Sequence, residues 1–320
     1  MHLENTWTPY LPFKSVHFTQ KYLRSLYEER QIHEPLASSY KNGYSFSYYI
    51  KHGQTFFQQA DMSPYEIKPL LLFYGAVQLL KAALLTVDEK YPQNAEVLAH
   101  GMSSRKRKSQ NYDFNQDTVL IQRRGLFSYA AQQLFQLDLA GLKFKMDDLL
   151  LRIPELKDLF HQLRSIQSFY FIIKGEDNSY EVSKDILDHL HMSASRFYDF
   201  IGEDFIPIKK RQSSNIGFKI VDSKLPSSIP FFQKDLNGHW YIPCLKKSFF
   251  NLPEILTHLI LLYNLSMICR YETEWWCELF SEQASLDLPF IHAFIDLTSR
   301  KFPILMAEQF FKPESERDHR

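Results

Sequence analysis

Two stretches of the chain are apolar at nearly every helical offset, and the rest is arranged around them. One is Pro69–Val87 (PLLLFYGAVQLLKAALLTV). The other lies in 254–281, where Ile255–Cys269 reads ILTHLILLYNLSMIC. A helix apolar all round belongs inside a core. Amphipathic spacing predicts further helices over 15–30, 44–60 (weakened by Gly53), 126–138, 145–163 with a new turn at Pro154, and 288–311. Ser63-Pro64-Tyr65-Glu66 reads as a capping box opening the first apolar helix, which then runs to about Val87.

The middle of the chain changes character. Residues 168–174 and 179–183 flank Gly175-Glu176-Asp177-Asn178, a hairpin pattern. Short helices at 183–190 and 193–201 and strands at 218–221 and 239–242 follow, with a loop over 222–238. The expected fold is mostly α: a helical body built from 1–165 and 251–311, a small α/β insertion at 166–250, and a polar tail at 312–320. Residues 88–125 read as a polar connecting stretch.

Composition refines this picture. Of 320 residues 45% are hydrophobic and 15% aromatic, enough to build a large core and to argue against disorder. Only 10 are glycine, where average usage would give roughly 22, which disfavours Gly-rich phosphate loops. A membrane span needs about 20 mostly apolar residues. The first apolar stretch carries Gln78 and Lys81 centrally; the second is shorter and contains His258 and Asn264. Both therefore read as core helices, and no membrane association is expected. Cys269 and Cys277 are eight residues apart on one expected helix, beyond disulfide reach, and no CxxC pair is present. With no basic and apolar leader at the N-terminus, a cytoplasmic location is expected.

Each apolar helix carries a narrow polar stripe: Tyr74, Gln78 and Lys81 on the first, and Tyr263, Ser266, Arg270 and Glu274 on the second. A buried cation needs a partner, water or a ligand. One reading is an internal network, pairing Lys81 with Glu272 or Glu274 and Arg270 with Glu274. The other is a cleft in which Lys81 and Arg270 meet an anionic ligand.

Lys+Arg and Asp+Glu balance at 37 each, so any nucleic-acid surface must be local. The one local excess spans 100–124, where Arg105, Lys106, Arg107, Lys108, Arg123 and Arg124 face only Asp113 and Asp117, with Tyr112 and Phe114 nearby. Such a run can hold phosphates and stack bases, although charge runs are usually solvated faces.

No P-loop, GxGxxG, HExxH or GxSxG motif occurs. His189 and His191 are two apart and diverge on a helix, so a helix-end role is expected, not a metal site. His258 reads as a hydrogen-bonded core histidine. No catalytic residue, metal or cofactor is assigned.

Lys68–Lys81, His100-Gly101 and above all Leu262–Leu279, with its Arg270-Tyr271-Glu272…Trp275-Trp276 block, resemble the YaaC-like proteins of Bacillus and related Gram-positive bacteria. The resemblance spans nearly the whole chain and implies no particular activity. The helix-then-HG block is also similar to HEPN-type helical proteins, some of which are ribonucleases using an Arg followed by His after four to six intervening residues. No Arg here has His at that spacing, so that similarity implies a non-catalytic member. The function expected is thus a non-enzymatic cytosolic binding or regulatory protein. It would recognise a protein partner, a second copy of itself or a small anionic, nucleotide-like ligand. Nucleic-acid binding or a divergent HEPN-like ribonuclease is the alternative.

Overall fold

The computed structural model describes residues 6–104, 112–176, 179–208, 214–220, 231–282 and 285–311. The fold is mostly α-helical, with two antiparallel sheets. The chain divides into two compact units, one made of Met1–Met146 with Ile255–Arg320, the other of Asp147–Glu254.

The first unit opens with a 3-10 turn, Thr8–Lys14, followed by α1 (Val16–Glu29), α2 (Pro35–Asp61) and α3 (Lys68–Leu85). Ser15 caps α1, its hydroxyl accepting from Phe18 N at 3.3 Å. The helix expected at 44–60 begins earlier, at Pro35, and Gly53 sits inside it for a packing reason. A Cβ at Gly53 would lie 3.0 Å from the Leu79 side chain, and one at Gly75 would lie 2.7 Å from the Phe57 ring. The two glycines let α2 and α3 approach closely, and this outweighs their cost to helix propensity.

α3 starts four residues later than the capping-box pattern suggests, and no side chain caps it. The Ser63 hydroxyl instead donates to Gln59 O at 2.7 Å in the last turn of α2, and residues 64–67 form a separate turn. By length and hydropathy α3 could cross a membrane, yet 67% of that window is buried inside the fold. The polar stretch after α3 contains more order than its composition suggested. It forms β1 (Met102–Ser104) and β2 (Thr118–Ile121); α4 (Leu126–Phe135) follows where a helix was expected, and β3 (Lys143–Lys145) completes a sheet of order β1-β2-β3.

The C-terminal part of this unit corrects the single helix expected over 254–281. α9 (Glu254–Tyr271) stops and α10 (Thr273–Glu282) restarts after Glu272, and α11 (Asp287–Phe310) follows. Trp276, 1% exposed, donates its indole N–H to Glu66 O at 2.8 Å and pins α10. The two ends of the chain meet through tyrosines: Tyr10 donates to Pro303 O at 2.6 Å and Tyr22 to Phe310 O at 2.7 Å.

The second unit holds α5 (Met146–Leu150) from Asp147 onward, α6 (Lys157–Arg164), β4 (Phe169–Lys174), β5 (Ser179–Ser183), α7 (Asp185–Leu190), α8 (Ala194–Ile201), β6 (Phe205–Ile208), β7 (Asn215–Ile220), β8 (Gln233–Lys234) and β9 (Trp240–Pro243). The strands form an antiparallel sheet in the order β6-β7-β5-β4-β9-β8. Ile172, Val182 and Phe218 from the sheet bury against Ile186, Leu190 and Phe197 from α7 and α8. The hairpin and both short helices fall where hydropathy placed them. A charge the pattern did not reveal is Arg152, 2% exposed, whose guanidinium donates to the Ser248 and Leu252 carbonyls and lies 4.2 Å over the Phe250 ring. The polar tail at 312–320 lies outside the described residues.

Candidate functional site

The polar stripes of α3 and α9 both lead to His100. This residue sits in a turn held by backbone hydrogen bonds: Leu126 N donates to Ala99 O at 2.7 Å and Phe127 N to His100 O at 3.1 Å. The turn needs two glycines. Gly101 has φ +75° and Gly125 φ +121°, and a Cβ on Gly125 would fall 2.4 Å from Gly101 Cα. Thus the start of α4 locks the backbone that presents the imidazole.

The ring centroid of His100 lies 5.0 Å from Phe73, 6.1 Å from Tyr74 and 6.2 Å from Tyr263. Tyr263 is itself fixed, its hydroxyl donating to Met102 O at 2.7 Å. Two cations act on the imidazole. Its pKa is lowered first by burial, then by the charges of Arg270 and Lys81. Like charges brought together near a half-buried group disfavour its protonation.

Lys81 and Arg270 are both half-buried. Lys81 Nζ lies 5.9 Å over the Tyr49 ring, and burial lowers its pKa. Arg270 Nε donates to Ser266 O at 2.9 Å, Nη2 lies 3.1 Å from Met267 Sδ, and the guanidinium lies over the Tyr271 ring at 5.2 Å. Among the described residues neither cation forms an ion pair with Glu272 or Glu274. The helix break explains this. Glu272 lies between α9 and α10 and Glu274 in the first turn of α10, so the i,i+4 geometry assumed for Arg270 and Glu274 does not exist. Glu274 is exposed, and the Glu272 charge acts instead on Tyr112.

That side of α9 carries a separate polar cluster. Asp117, 3% exposed, accepts from Tyr112 Oη at 2.6 Å, Thr118 N at 2.7 Å and Asn264 Nδ2 at 3.1 Å. Asp287 accepts from Phe114 N at 3.0 Å and from the Asn115 side chain. These carboxylates are satisfied by donors and tie the chain preceding β2 to α9 and α11. They are structural, and Asn264 thereby gains its reason for sitting in an apolar helix.

The remaining candidates stand apart. Arg105, Lys106, Arg107 and Lys108 lie outside the described residues. Arg123 and Arg124 are exposed, and Arg124 pairs with Glu96 at 2.7 Å on the surface, where such pairs contribute little. His189 Nδ1 lies 2.9 Å from Tyr170 Oη and 3.1 Å from Asp185 O, a helix-end role. The His258 ring bonds Thr298 Oγ1 at 2.8 Å inside the core. No grouping of three or more His, Cys, Asp or Glu suited to a metal occurs among the described residues.

Sequence reasoning named Lys81, Arg270 and Tyr263 but not His100 as a site residue. His100 lies 19 positions after Lys81 across an irregular connection, and periodicity carries no information over such a stretch.

Fold and site together define a mostly helical protein with one half-buried cation on each of two core helices. The chain belongs to the YaaC-like protein family, whose model matches residues 11–310. The comparisons do not show the HEPN similarity. No curated protein and no solved structure matches the chain.

Proposed function

We propose that this protein is a non-enzymatic binding or regulatory protein, and that its helical body, assembled from both ends of the chain, holds a small anionic ligand at Lys81, His100 and Arg270. One observation carries this reading. Two half-buried cations act on the same imidazole, and among the described residues no carboxylate pairs with either. An uncompensated, partly desolvated charge costs free energy, and an arrangement that pairs two of them around a third proton acceptor becomes favourable when an anion occupies it. The aromatic surround of Phe73, Tyr74 and Tyr263 strengthens that attraction by limiting solvent screening.

The test is Lys81→Met. A lysine that is desolvated and unpaired contributes nothing to stability that methionine cannot replace. The variant should therefore melt at or above the wild-type temperature while gaining less stabilisation from phosphate than the wild type does. A drop of several degrees in Tm, with wild-type protein indifferent to phosphate, would show that Lys81 is a structural charge and remove the site.

A further inference from the structure

The outer face of α2 differs from an ordinary solvated helix face. Phe46, Ile50 and Phe57 bury on one side of this helix. At 100° per residue, Glu34 (at the N-cap), Ala37, Lys41, Tyr44, Tyr48 and Lys51 fall on the opposite side, and all six are exposed. Tyr40, Tyr44 and Tyr48 are 59%, 53% and 63% exposed, and Leu36 at the edge is 50% exposed. Charged residues usually fill such positions and favour the helix more than tyrosine does. Tyrosine is enriched instead at the cores of protein interfaces.

The six positions are spaced 3-4-3-4-3 residues, the repeat along which two helices pack at a shallow angle. That spacing reads the same in both directions. A second copy laid antiparallel, with the twofold axis level with Asn42 and Gly43, therefore meets the seam in register. Tyr48 then faces Ala37, a large side chain against a small one. Tyr44 faces Lys41, a ring beneath an ammonium, and Lys51 faces Glu34. Each contact occurs twice across the axis. In a parallel pair Lys41, Lys51 and Glu34 would each face their own copies, three like-charge contacts.

The geometry points to a homodimer in which α2 of one copy pairs antiparallel with α2 of a second along this seam. Its strength follows from area. A tyrosine carries about 150–250 Å² of surface, so the exposed parts of the three rings offer roughly 350 Å² per copy. A standard stable interface buries about 800 Å² per partner. With Leu36 and the stems of the charged residues added, the contact has the size of a weak, reversible complex, with a dissociation constant on the order of 10–100 μM.

Sedimentation equilibrium of the full chain, from low micromolar to several hundred micromolar, tests it. The mass should rise with concentration from 38.0 kDa toward twice that value. Tyr44→Lys sets a second ammonium against Lys41 and should weaken association more than about tenfold. Its Tm should not fall, because Tyr44 is more than half exposed. Lys51→Glu and Glu34→Lys should each weaken association roughly three- to tenfold, and the double variant should restore it to within about twofold. A wild type that stays at 38.0 kDa throughout would overturn the dimer and leave the seam to a different protein. Association that survives Tyr44→Lys would place the contact on another face and also overturn it. Loss with Tyr44→Lys but no rescue in the double variant would overturn the antiparallel register. The wild-type measurement needs no variant, so a misfolded mutant cannot obscure it.

Discussion

At the residue scale the informative group is His100. Burial comes first, then Arg270 and Lys81, in holding its pKa below the usual histidine value. His292, stacked 4.1 Å from Tyr65, is also lowered by burial and by Lys68, against Asp296 and Glu66. A histidine whose folded pKa lies below its unfolded value takes up its proton more readily when unfolded. Its stabilising effect is therefore present above about 6.5 and is lost as pH falls from there toward the folded value. The free protein should become less stable between pH 7.5 and 5.5, and His100→Gln should shrink that loss. A bound anion reverses the sign at His100, because it favours the imidazolium. Phosphate binding near neutral pH should then take up protons, visible as a dependence of titration heat on buffer ionisation enthalpy. An unchanged Tm difference between the two pH values in His100→Gln would show that His100 contributes nothing to either effect.

At the element scale, close approach decides where the site sits. Gly75 lies one residue after Tyr74 on α3, and the Cβ it lacks would lie 2.7 Å from the Phe57 ring. Gly75→Ala forces α2 and α3 apart and should cost about 1–3 kcal/mol, the usual range for overpacking, measured by urea unfolding. Gly125→Ala is harsher, because both its φ of +121° and the 2.4 Å approach to Gly101 exclude a side chain. It should displace the His100 turn and abolish anion binding. These same glycines mark the limit of what the sequence could tell. Gly53 looked like a weakness in a helix because propensity is local, whereas its use, contact with Leu79, lies 26 residues away. The apolar helices, the hairpin and both short helices of the second unit were legible because each has a strong period or turn signal. The break at Glu272 was not, since hydropathy runs on through Trp275 and Trp276, and the contact that holds Trp276, at Glu66 O, is remote in sequence. Of the site, Lys81 and Arg270 were legible as charges out of place in apolar helices. His100 was not, because only tertiary packing brings it to them.

At the scale of the whole molecule, the division into units makes its own prediction. Among the described residues, the span 147–254 has a sheet and an apolar core of its own. The sheet from β6 to β8 is hydrogen-bonded internally, and its core closes against α7 and α8. Arg152 donates to the Ser248 and Leu252 carbonyls, and Lys247 pairs with Asp147 at 3.3 Å and Asp148 at 2.7 Å, joining the two ends of the segment. A unit with a contiguous chain, a sheet and a core of its own meets the main physical conditions for independent folding. The excised fragment should unfold cooperatively in urea, as a single two-state transition. In the full chain, Phe218→Ala opens a cavity in this core and should cost about 3–5 kcal/mol of that transition while leaving phosphate affinity unchanged, because Lys81, His100 and Arg270 all belong to the other unit. A non-cooperative fragment, or a Phe218→Ala protein that loses phosphate binding together with its stability, would mean that the two units fold as one and that the anion site depends on both.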